Sequence, residues 1–311
     1  MAEALPSSPA WAAEREVTAT WARSVLEAAW PELRGRSVVA FGEGWDNAAF
    51  LVGEELVFRF PRRAAAVAGL RCEAAVLPLL DLPIATPRPT HVLHDDGHLG
   101  WPVVGYPMLR GTTLCRAPSC DASAQHALAI ALGHALRALH ALPRPDAAPN
   151  DVIGRLELGA RRSLAESRLQ RLATRGWRVP AGLLGTLEAA QGLRPVASAL
   201  CHGDLYARHV LVDAGHRPCG LIDWGDLHWG DAAVDLAGVL EILPPECLPT
   251  FERTYGPVSH AHWCLARGRA VAHACAVADY AVSIGDGDLT DAARRSLTWL
   301  AGALTRPHGA T

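Results

Sequence analysis

The chain has 311 residues, half of them apolar, and 29 basic against 32 acidic side chains leave a net charge of −3. That length can bury a large core in two lobes or domains, and the near balance of charge excludes the basic footprint of a nucleic-acid-binding protein. No apolar run reaches the ~18 residues of a membrane span before His, Arg or Pro interrupts it. Met1–Thr20 lacks the basic and apolar regions of a signal peptide, so the expected compartment is cytoplasmic, with no membrane, nucleic-acid or protein partner implied.

Every basic residue is Arg, and there is no Lys. With abundant Ala and Gly this reads as a GC-rich coding bias, and any phosphate contact that Lys would make must come here from Arg. The cysteines (Cys72, Cys115, Cys120, Cys201, Cys219, Cys247, Cys264 and Cys275) lie mostly in apolar contexts without a Cys-x-x-Cys pair. They read as small buried hydrophobes rather than disulfides or metal ligands.

In chain order, residues 1–13 read as disordered. Thr18 or Thr20 can cap a first helix whose Trp21, Val25, Leu26, Ala29 and Trp30 share one face before Pro31. Strand-like runs follow at Val38–Phe41, Ala48–Val52 and Leu56–Phe60, the last two joined by Gly53-Glu54-Glu55. A helical stretch runs to Leu80, then come Thr90–His94, a turn at Asp95-Asp96-Gly97, and Trp101–Tyr106. Residues 1–106 thus read as an N-terminal lobe, a small antiparallel sheet with a helix. Residues 107–122, carrying Pro107, Gly111 and Pro118, read as a hinge, and 123–311 as a mainly helical C-terminal lobe. There, Ala124–Leu142 forms a long helix stopped by Pro143, and 157–173 and 181–191 are further helical candidates. Two short strands come next, then helices from Asp231 onward with breaks at Pro244-Pro245, Gly256-Pro257 and Gly285–Gly287.

Three constellations carry chemistry. In the loop Phe41-Gly42-Glu43-Gly44-Trp45-Asp46-Asn47, glycines let backbone N–H groups approach phosphates, although a Gly-x-Gly between strands is also an ordinary hairpin feature. Arg59, within the strand Val57–Phe60, needs a partner because burying a lone charge is costly. Glu73 on the following helix is the natural one, and a strand cation paired to a helix acid can grip nucleotide phosphates. The alternative is an edge-strand Arg facing solvent. The third constellation is Cys201–Asp213 followed by Leu221–Asp226: a polar loop, an apolar strand, a turn and a second strand ending in an acid. It holds Asp204 and Asp223 at the ends of neighbouring strands in one cleft. Phosphoryl transfer needs one acid to orient an attacking hydroxyl and another to hold the metal that neutralises phosphate charge. His202, before a glycine at a strand-to-loop corner, reads as a group that bonds backbone and shapes the loop. Asp231 and Asp235 read as structural ties between the next helix and that loop. Five residues after Asp204, where an amide metal ligand is expected, stands His209.

His202-Gly203-Asp204-x4-His209-Val-Leu-Val-Asp213, with Ile222-Asp223-Trp224-Gly225-Asp226 and Gly230-Asp231-x3-Asp235-Leu236-Ala237, resembles the aminoglycoside phosphotransferase family of antibiotic kinases. The run from Gly42 through Asn47 to Val57-Phe58-Arg59-Phe60-Pro61 is similar to the aminoglycoside 2''-phosphotransferase type, and Leu139–Pro143 is similar to the end of that family's long C-lobe helix. The resemblance spans about residues 15–305. It implies an α+β, protein-kinase-like two-lobed fold and binding of ATP or GTP with Mg²⁺. Asp204 becomes the catalytic acid/base, Asp223 the main Mg²⁺ ligand, and Arg59, paired with Glu73, the substitute for a phosphate-binding Lys. Gly42, Gly44, Asp46 and Asn47 line the phosphates, and Tyr106 to Leu109, including Met108, form the hinge whose backbone meets the purine. Arg59 offers a planar fork where the family has an ammonium. His209 offers imidazole where Mg²⁺ prefers oxygen; macrolide phosphotransferases resemble this chain in having His there.

A protein substrate is disfavoured. A eukaryotic-type protein kinase carries Lys two residues after its catalytic Asp, where this chain has Tyr206, and only Trp224–Val234 separates Asp223 from Asp235, with no Ala-Pro-Glu following. Between Gly225 and Asp291 ten acids face three arginines, which would attract a polycationic acceptor. Asp226 and Asp279 are the substrate candidates; Asp279, set among apolar residues, either has a buried partner or faces a cleft. A macrolide would instead want an apolar pocket, to which Trp229, Trp263 and Leu265 could contribute. The expected function is Mg²⁺-dependent transfer of a nucleotide γ-phosphate to a hydroxyl of an aminoglycoside-like antibiotic. The alternatives are a macrolide, sugar or amino-alcohol kinase, or a nucleotide-binding pseudokinase module.

Overall fold

The computed structural model describes residues 13–44, 46–94, 100–117 and 121–302. The expected disorder of residues 1–12, Trp45, the Asp95–Gly97 turn, Pro118 and Cys120 lie outside the described residues. The chain divides into two compact units, one of residues up to Leu80 with Thr86–Leu109, the other of Asp81–Ala85 with the residues from Arg110 onward.

In the first unit, helix α1 (Ala19–Ala29) starts where Thr18 Oγ1 accepts from Trp21 N–H at 3.2 Å. Pro31 lies two residues beyond its end, where the ring's fixed φ and missing N–H no longer matter to the helix. Strands β1 (Val38–Glu43), β2 (Asn47–Val52), β3 (Leu56–Pro61), β4 (His91–Leu93) and β5 (Val103–Pro107) form one antiparallel sheet in the order β1-β2-β3-β5-β4. Successive strand side chains alternate faces. On β2, Ala48, Phe50 and Val52 therefore meet Ala22, Val25 and Leu26 of α1, while Ala49 and Leu51 face the other way. On that second side lies helix α2 (Ala64–Val76), whose Leu70 packs with Val57, Val104 and Tyr106. The β2–β3 turn needs positive φ at two residues, taken by Gly53 and Glu54. A register shift between Ala40 and Gly42 carries β1 on to Glu43, so Gly42 sits in a strand and the connection to β2 is shorter than its glycines suggest. The helical stretch also stops at Val76, short of Leu80, because Pro78 removes a donor and a tight single turn, Leu77–Leu79, takes over.

The second unit is mainly helical: α3 (Ala122–His140), α4 (Leu158–Thr174), α5 (Leu183–Ala189), α6 (Ala233–Ile242), α7 (Leu248–Tyr255), α8 (His260–Ile284) and α9 (Gly287–Gly302). Helix α8 packs against α4, α5, α6 and α9, and α3 against α7. Every residue of α6 is buried, which makes it the helix at the centre of the unit. Among the described residues no helix is long and apolar enough to cross a membrane.

Five short strands complete it. Strands β6 (Thr112–Thr113), β8 (Val210–Val212) and β9 (Pro218–Leu221) form one sheet, and β7 (Ala199–Cys201) pairs with β10 (His228–Gly230). β6 falls inside the stretch expected as a hinge. Its two residues, and the three each of β7 and β10, are too short to show alternation, so sequence periodicity misses them.

Gly238 shows how tightly α6 lies under the loop after β7: an added Cβ there would stand 2.1 Å from the Leu205 carbonyl oxygen. Ala is preferred over Gly in a helix by about 1 kcal/mol, whereas overpacking costs about 1–3 kcal/mol, so the clash wins. Gly238→Ala is expected to lower the denaturant midpoint; a stabilised variant would contradict this packing.

Candidate functional site

The first unit holds a buried ion pair. Arg59 Nη1 donates to Glu73 Oε2 at 2.7 Å, with the two side chains 9% and 0% exposed. The alternation of β3 explains the meeting: Phe58 and Phe60 point to the α1 side, and Val57 and Arg59 to α2. Breaking such a pair leaves an uncompensated buried charge. Nearby, the β1–β2 connection is fastened by backbone and arginine. Gly44 N–H donates to Asn47 O at 2.9 Å, Arg62 Nη1 to Gly44 O at 3.1 Å, and Arg63 Nη1 to Asp46 Oδ1 at 3.0 Å. Asp46 is thus occupied in closing the loop. Among the described residues Asn47 Oδ1 is buried without a hydrogen-bond partner. Tyr106 is packed into the α2 cluster, and Met108 N–H already donates to Glu55 O at 2.7 Å.

In the second unit the loop after β7 is built on Asp235. This carboxylate, wholly buried in the first turn of α6, accepts from His202 N–H at 2.8 Å, Gly203 N–H at 2.9 Å and His140 Nε2 at 3.1 Å. Burial acts to raise it, but the His140 hydrogen bond, the neighbouring His140 and His202 rings and the Gly203 N–H outweigh burial and hold it below the ordinary carboxylate range. Asp231 ties the approach to α6, accepting from Ala233 N–H at 2.8 Å and Val196 N–H at 2.7 Å. His202 bonds backbone through both ring nitrogens, Nε2 to Ile222 O at 3.0 Å and Nδ1 from Asp204 N–H at 3.3 Å. Burial lowers its pKa, in keeping with a neutral ring. Gly203 adopts φ +91°, and a Cβ there would lie 2.2 Å from Asp226 O, so only glycine fits. His140, Cys201 and Asp235 lie close enough to hold a metal ion, but Asp235 is engaged as above and Cys201 Sγ donates to Asp231 O at 3.4 Å. Burial also raises the Cys201 thiol well above its usual value, which disfavours the thiolate a metal needs.

Strand register brings the next groups together. β8 pairs Val210 with Leu221 of β9, and Ile222 N–H donates to His209 O at 3.0 Å, so His209 and Asp223 emerge side by side. His209 Nε2 lies 3.4 Å from Asp223 Oδ2, and Nδ1 is 2.7 Å from the Asp204 carbonyl oxygen. A carbonyl only accepts, so Nδ1 carries the hydrogen of that bond. Asp223 itself sits at φ +61°, a strained conformation for a residue with a Cβ. Strain of this kind persists only where surrounding structure imposes it, here at the end of β9, and it fixes where the half-exposed carboxylate points.

Asp204 has two differently employed oxygens. Oδ1 is 3.0 Å from His273 Nε2, while Oδ2 lies 3.6 Å from His209 Nδ1. Burial would raise this carboxyl, but the His273 hydrogen bond and the charges of His209, His273 and Arg269 hold it well below its usual range. Nδ1 of His273 lies 2.9 and 3.0 Å from the two oxygens of Glu241. Burial opposes protonation of His273, but Glu241 and the bonds to Asp204 and Glu241 outweigh both burial and Arg269, raising it to about 9. Nothing in the sequence pointed to this arrangement: His273 and Glu241 lie on different helices, and their periodicity is that of ordinary core positions.

The acids expected to meet substrate have arginine partners. Asp226 is ion-paired to Arg155, which also donates to Gly203 O at 3.1 Å and Asp151 at 2.6 Å. Asp279 is gripped by Arg171 of α4 at 2.7 and 3.3 Å, so its apolar neighbours conceal a surface partner. Arg208 takes Asp286 in the same way. Trp263 and Leu265 belong to the α8 core, with Trp263 Nε1 donating to Glu252 at 2.7 Å, and supply no apolar pocket wall.

The α+β fold, with its paired carboxylates on a strand–turn–strand loop, agrees with what comparison with known families shows. Residues 37–271 match the profile of the phosphotransferase enzyme family (APH), and the chain belongs to that family. The fold is similar to the GDP complex of wild-type aminoglycoside 2'-phosphotransferase-IIIa, at 20% identity and TM-score 0.65 over 93% of this chain and 100% of that one. It is similar also to macrolide 2'-phosphotransferase type I, at 25% identity and TM-score 0.54 over 90% and 98%. ADP-bound aminoglycoside phosphotransferase APH(2'')-Ib matches at 17% identity and TM-score 0.56 over 89% and 97%. No curated protein sequence matches the chain.

The His273 cluster predicts a pH signature. A group raised from 6.5 to about 9 stabilises the fold fully below pH 6.5, and that contribution is lost as pH rises toward 9. The stability advantage of the wild type over His273→Gln in urea titrations is therefore expected to shrink across this window. A difference that is flat with pH would contradict the charged state.

Proposed function

We propose that this enzyme transfers the γ-phosphoryl group of ATP or GTP to a hydroxyl of a small-molecule antibiotic, with Mg²⁺. The observation that carries the reading is the loop that sets Asp204, with Oδ1 held by His273 and Oδ2 on the His209 side, beside the His209–Asp223 pair. In this reading Asp204 Oδ2 accepts the hydrogen bond of the attacking hydroxyl and aims it. A carboxylate held below its usual pKa is a weak base, which suits a loose transition state in which positioning outweighs proton removal.

The residues present fit a cation. Asp223 Oδ2 and the imidazole Nε2 of His209 lie 3.4 Å apart. Asp223 supplies the oxygen that Mg²⁺ prefers, and His209 is the poorer ligand. When bound, the ion would neutralise phosphate charge. In the first unit, Arg59, held by Glu73, is the cation that meets phosphate in this reading, and the backbone of Gly42, Gly44, Asp46 and Asn47 lines the nucleotide. At the hinge the Met108 N–H is committed to Glu55 O at 2.7 Å, and the backbone of Tyr106 to Leu109 is the stretch that meets the base in this reading.

A polycationic aminoglycoside is the first acceptor class, favoured by the excess of acids between Gly225 and Asp291. A macrolide is the second reading, and a specific observation favours it: Asp226, Asp279 and Asp286 are each neutralised by an arginine, which removes much of the attraction for several ammonium groups. Phosphate transfer from ATP and from GTP to a panel of aminoglycosides and macrolides decides between them. Transfer to no hydroxyl compound in the panel would remove the reading.

Asp204→Ala is expected to lower turnover by about 10²–10⁴-fold, the worth of a positioned proton acceptor, with nucleotide affinity by calorimetry little changed. Turnover near that of the wild type would take Asp204 out of the mechanism.

A further inference from the structure

Asp204 is not held by its own loop alone. Its Oδ1 is met from α8 by His273 Nε2 at 3.0 Å, and the other ring nitrogen of His273 is held at 2.9 and 3.0 Å by both oxygens of Glu241 on α6. The ring is therefore fixed from both sides, with Tyr206 edge-on at 5.4 Å between centroids. The charged groups around it are Asp204 from the loop, Glu241 from α6 and Arg269, one turn earlier on α8. Ser296 of α9 donates to the Glu241 carbonyl at 2.7 Å, anchoring that part of α6 as well.

Two carboxylates can only accept, so His273 donates to both. A carboxylate with one oxygen bound in this way loses its freedom to rotate, and its second oxygen keeps a single direction. For Asp204 that second oxygen, Oδ2, is the one on the His209 side. We propose that His273, backed by Glu241, is a positioning residue of the phosphotransfer site, locking Asp204 Oδ1 so that Oδ2 alone is presented to the acceptor hydroxyl. The inference rests on the transferase reading above and deepens it. It makes the base a three-residue unit, Glu241–His273–Asp204, that spans two helices and a loop, and sets no new demand on the nucleotide. Misplacement of a reacting group by about 1 Å can cost about 10²-fold in rate, so the lock acts on turnover rather than on ligand affinity.

Two amide variants separate positioning from packing. In His273→Asn the amide nitrogen falls near the place of Nδ1, keeps a donor for Glu241 and leaves Asp204 Oδ1 without one. In His273→Gln the longer side chain carries its amide donor out to the place of Nε2. The measurement is kcat and KM for nucleotide and acceptor, using the panel compound that the wild type phosphorylates, with nucleotide binding by calorimetry as the check of folding. The expected result is a roughly 10- to 100-fold fall in kcat for His273→Asn, nucleotide KM within twofold, and recovery to within about threefold of wild type in His273→Gln. Equal kcat in the two variants, whether high or low, would overturn the proposal, as would a change confined to KM. A wild type that phosphorylates nothing in the panel overturns the transferase reading itself and the positioning role with it. An active wild type beside an equally active His273→Asn overturns the positioning role alone.

Discussion

One buried carboxylate organises the second unit. Asp235 takes hydrogen bonds from two consecutive backbone N–H groups of the loop after β7 and from His140 of α3, so a helix start, a loop and a second helix converge on two oxygens. Hydrogen bonds to a charged group contribute about 1.5–3 kcal/mol each, and an unsatisfied buried donor costs a comparable amount. Those magnitudes explain why the loop holds one conformation. With His202 N–H and Gly203 N–H pinned, the chain must turn through a left-handed glycine, and Asp204 emerges on the side where His209, His273 and Asp223 are gathered. Strand pairing between β8 and β9 does the rest, because it fixes how far His209 stands from Asp223.

Electrostatically, the second unit is balanced from within. Its acids outnumber its arginines in the C-terminal part of the sequence, yet Arg155, Arg171 and Arg208 reach into that region from earlier segments and neutralise Asp226, Asp279 and Asp286. Counting charges along a stretch of sequence therefore overstates the field that a ligand meets. Asp223 stands half-exposed at the end of β9, and Asp204 turns its second oxygen toward His209. That separation, one acid oriented by imidazole and another by backbone strain, gives two chemically alike side chains different work.

Much of this was legible in the sequence. The places of the strands in the first unit, the Arg59–Glu73 pair, the strand–turn–strand motif with its two acids, and the breaks between the last helices follow from alternation, from the need to pair a buried charge and from Pro and Gly punctuation. What escaped has a physical reason. Strands of two or three residues show no period, so β6, β7 and β10 were invisible. Glu241 and His273 read as members of apolar helix faces because a contact 32 residues apart leaves no local trace. Arg155 lies in a turn nearly 50 residues before the loop it fastens. Asp279, by contrast, stood out by its apolar neighbours, but those neighbours could not tell a cleft from an arginine on the next helix.

The dependence of the whole loop on Asp235 is open to direct measurement. In Asp235→Asn one oxygen becomes an N–H donor, so it cannot serve both His202 and Gly203. Phosphate transfer by this variant is to be measured at a temperature where circular dichroism shows it folded and calorimetry shows it binding nucleotide. The account predicts a rate at least about 100-fold below that of the wild type, because a loop released by a small shift misplaces Asp204. A folded, nucleotide-binding Asp235→Asn that transfers phosphate at the wild-type rate would contradict it.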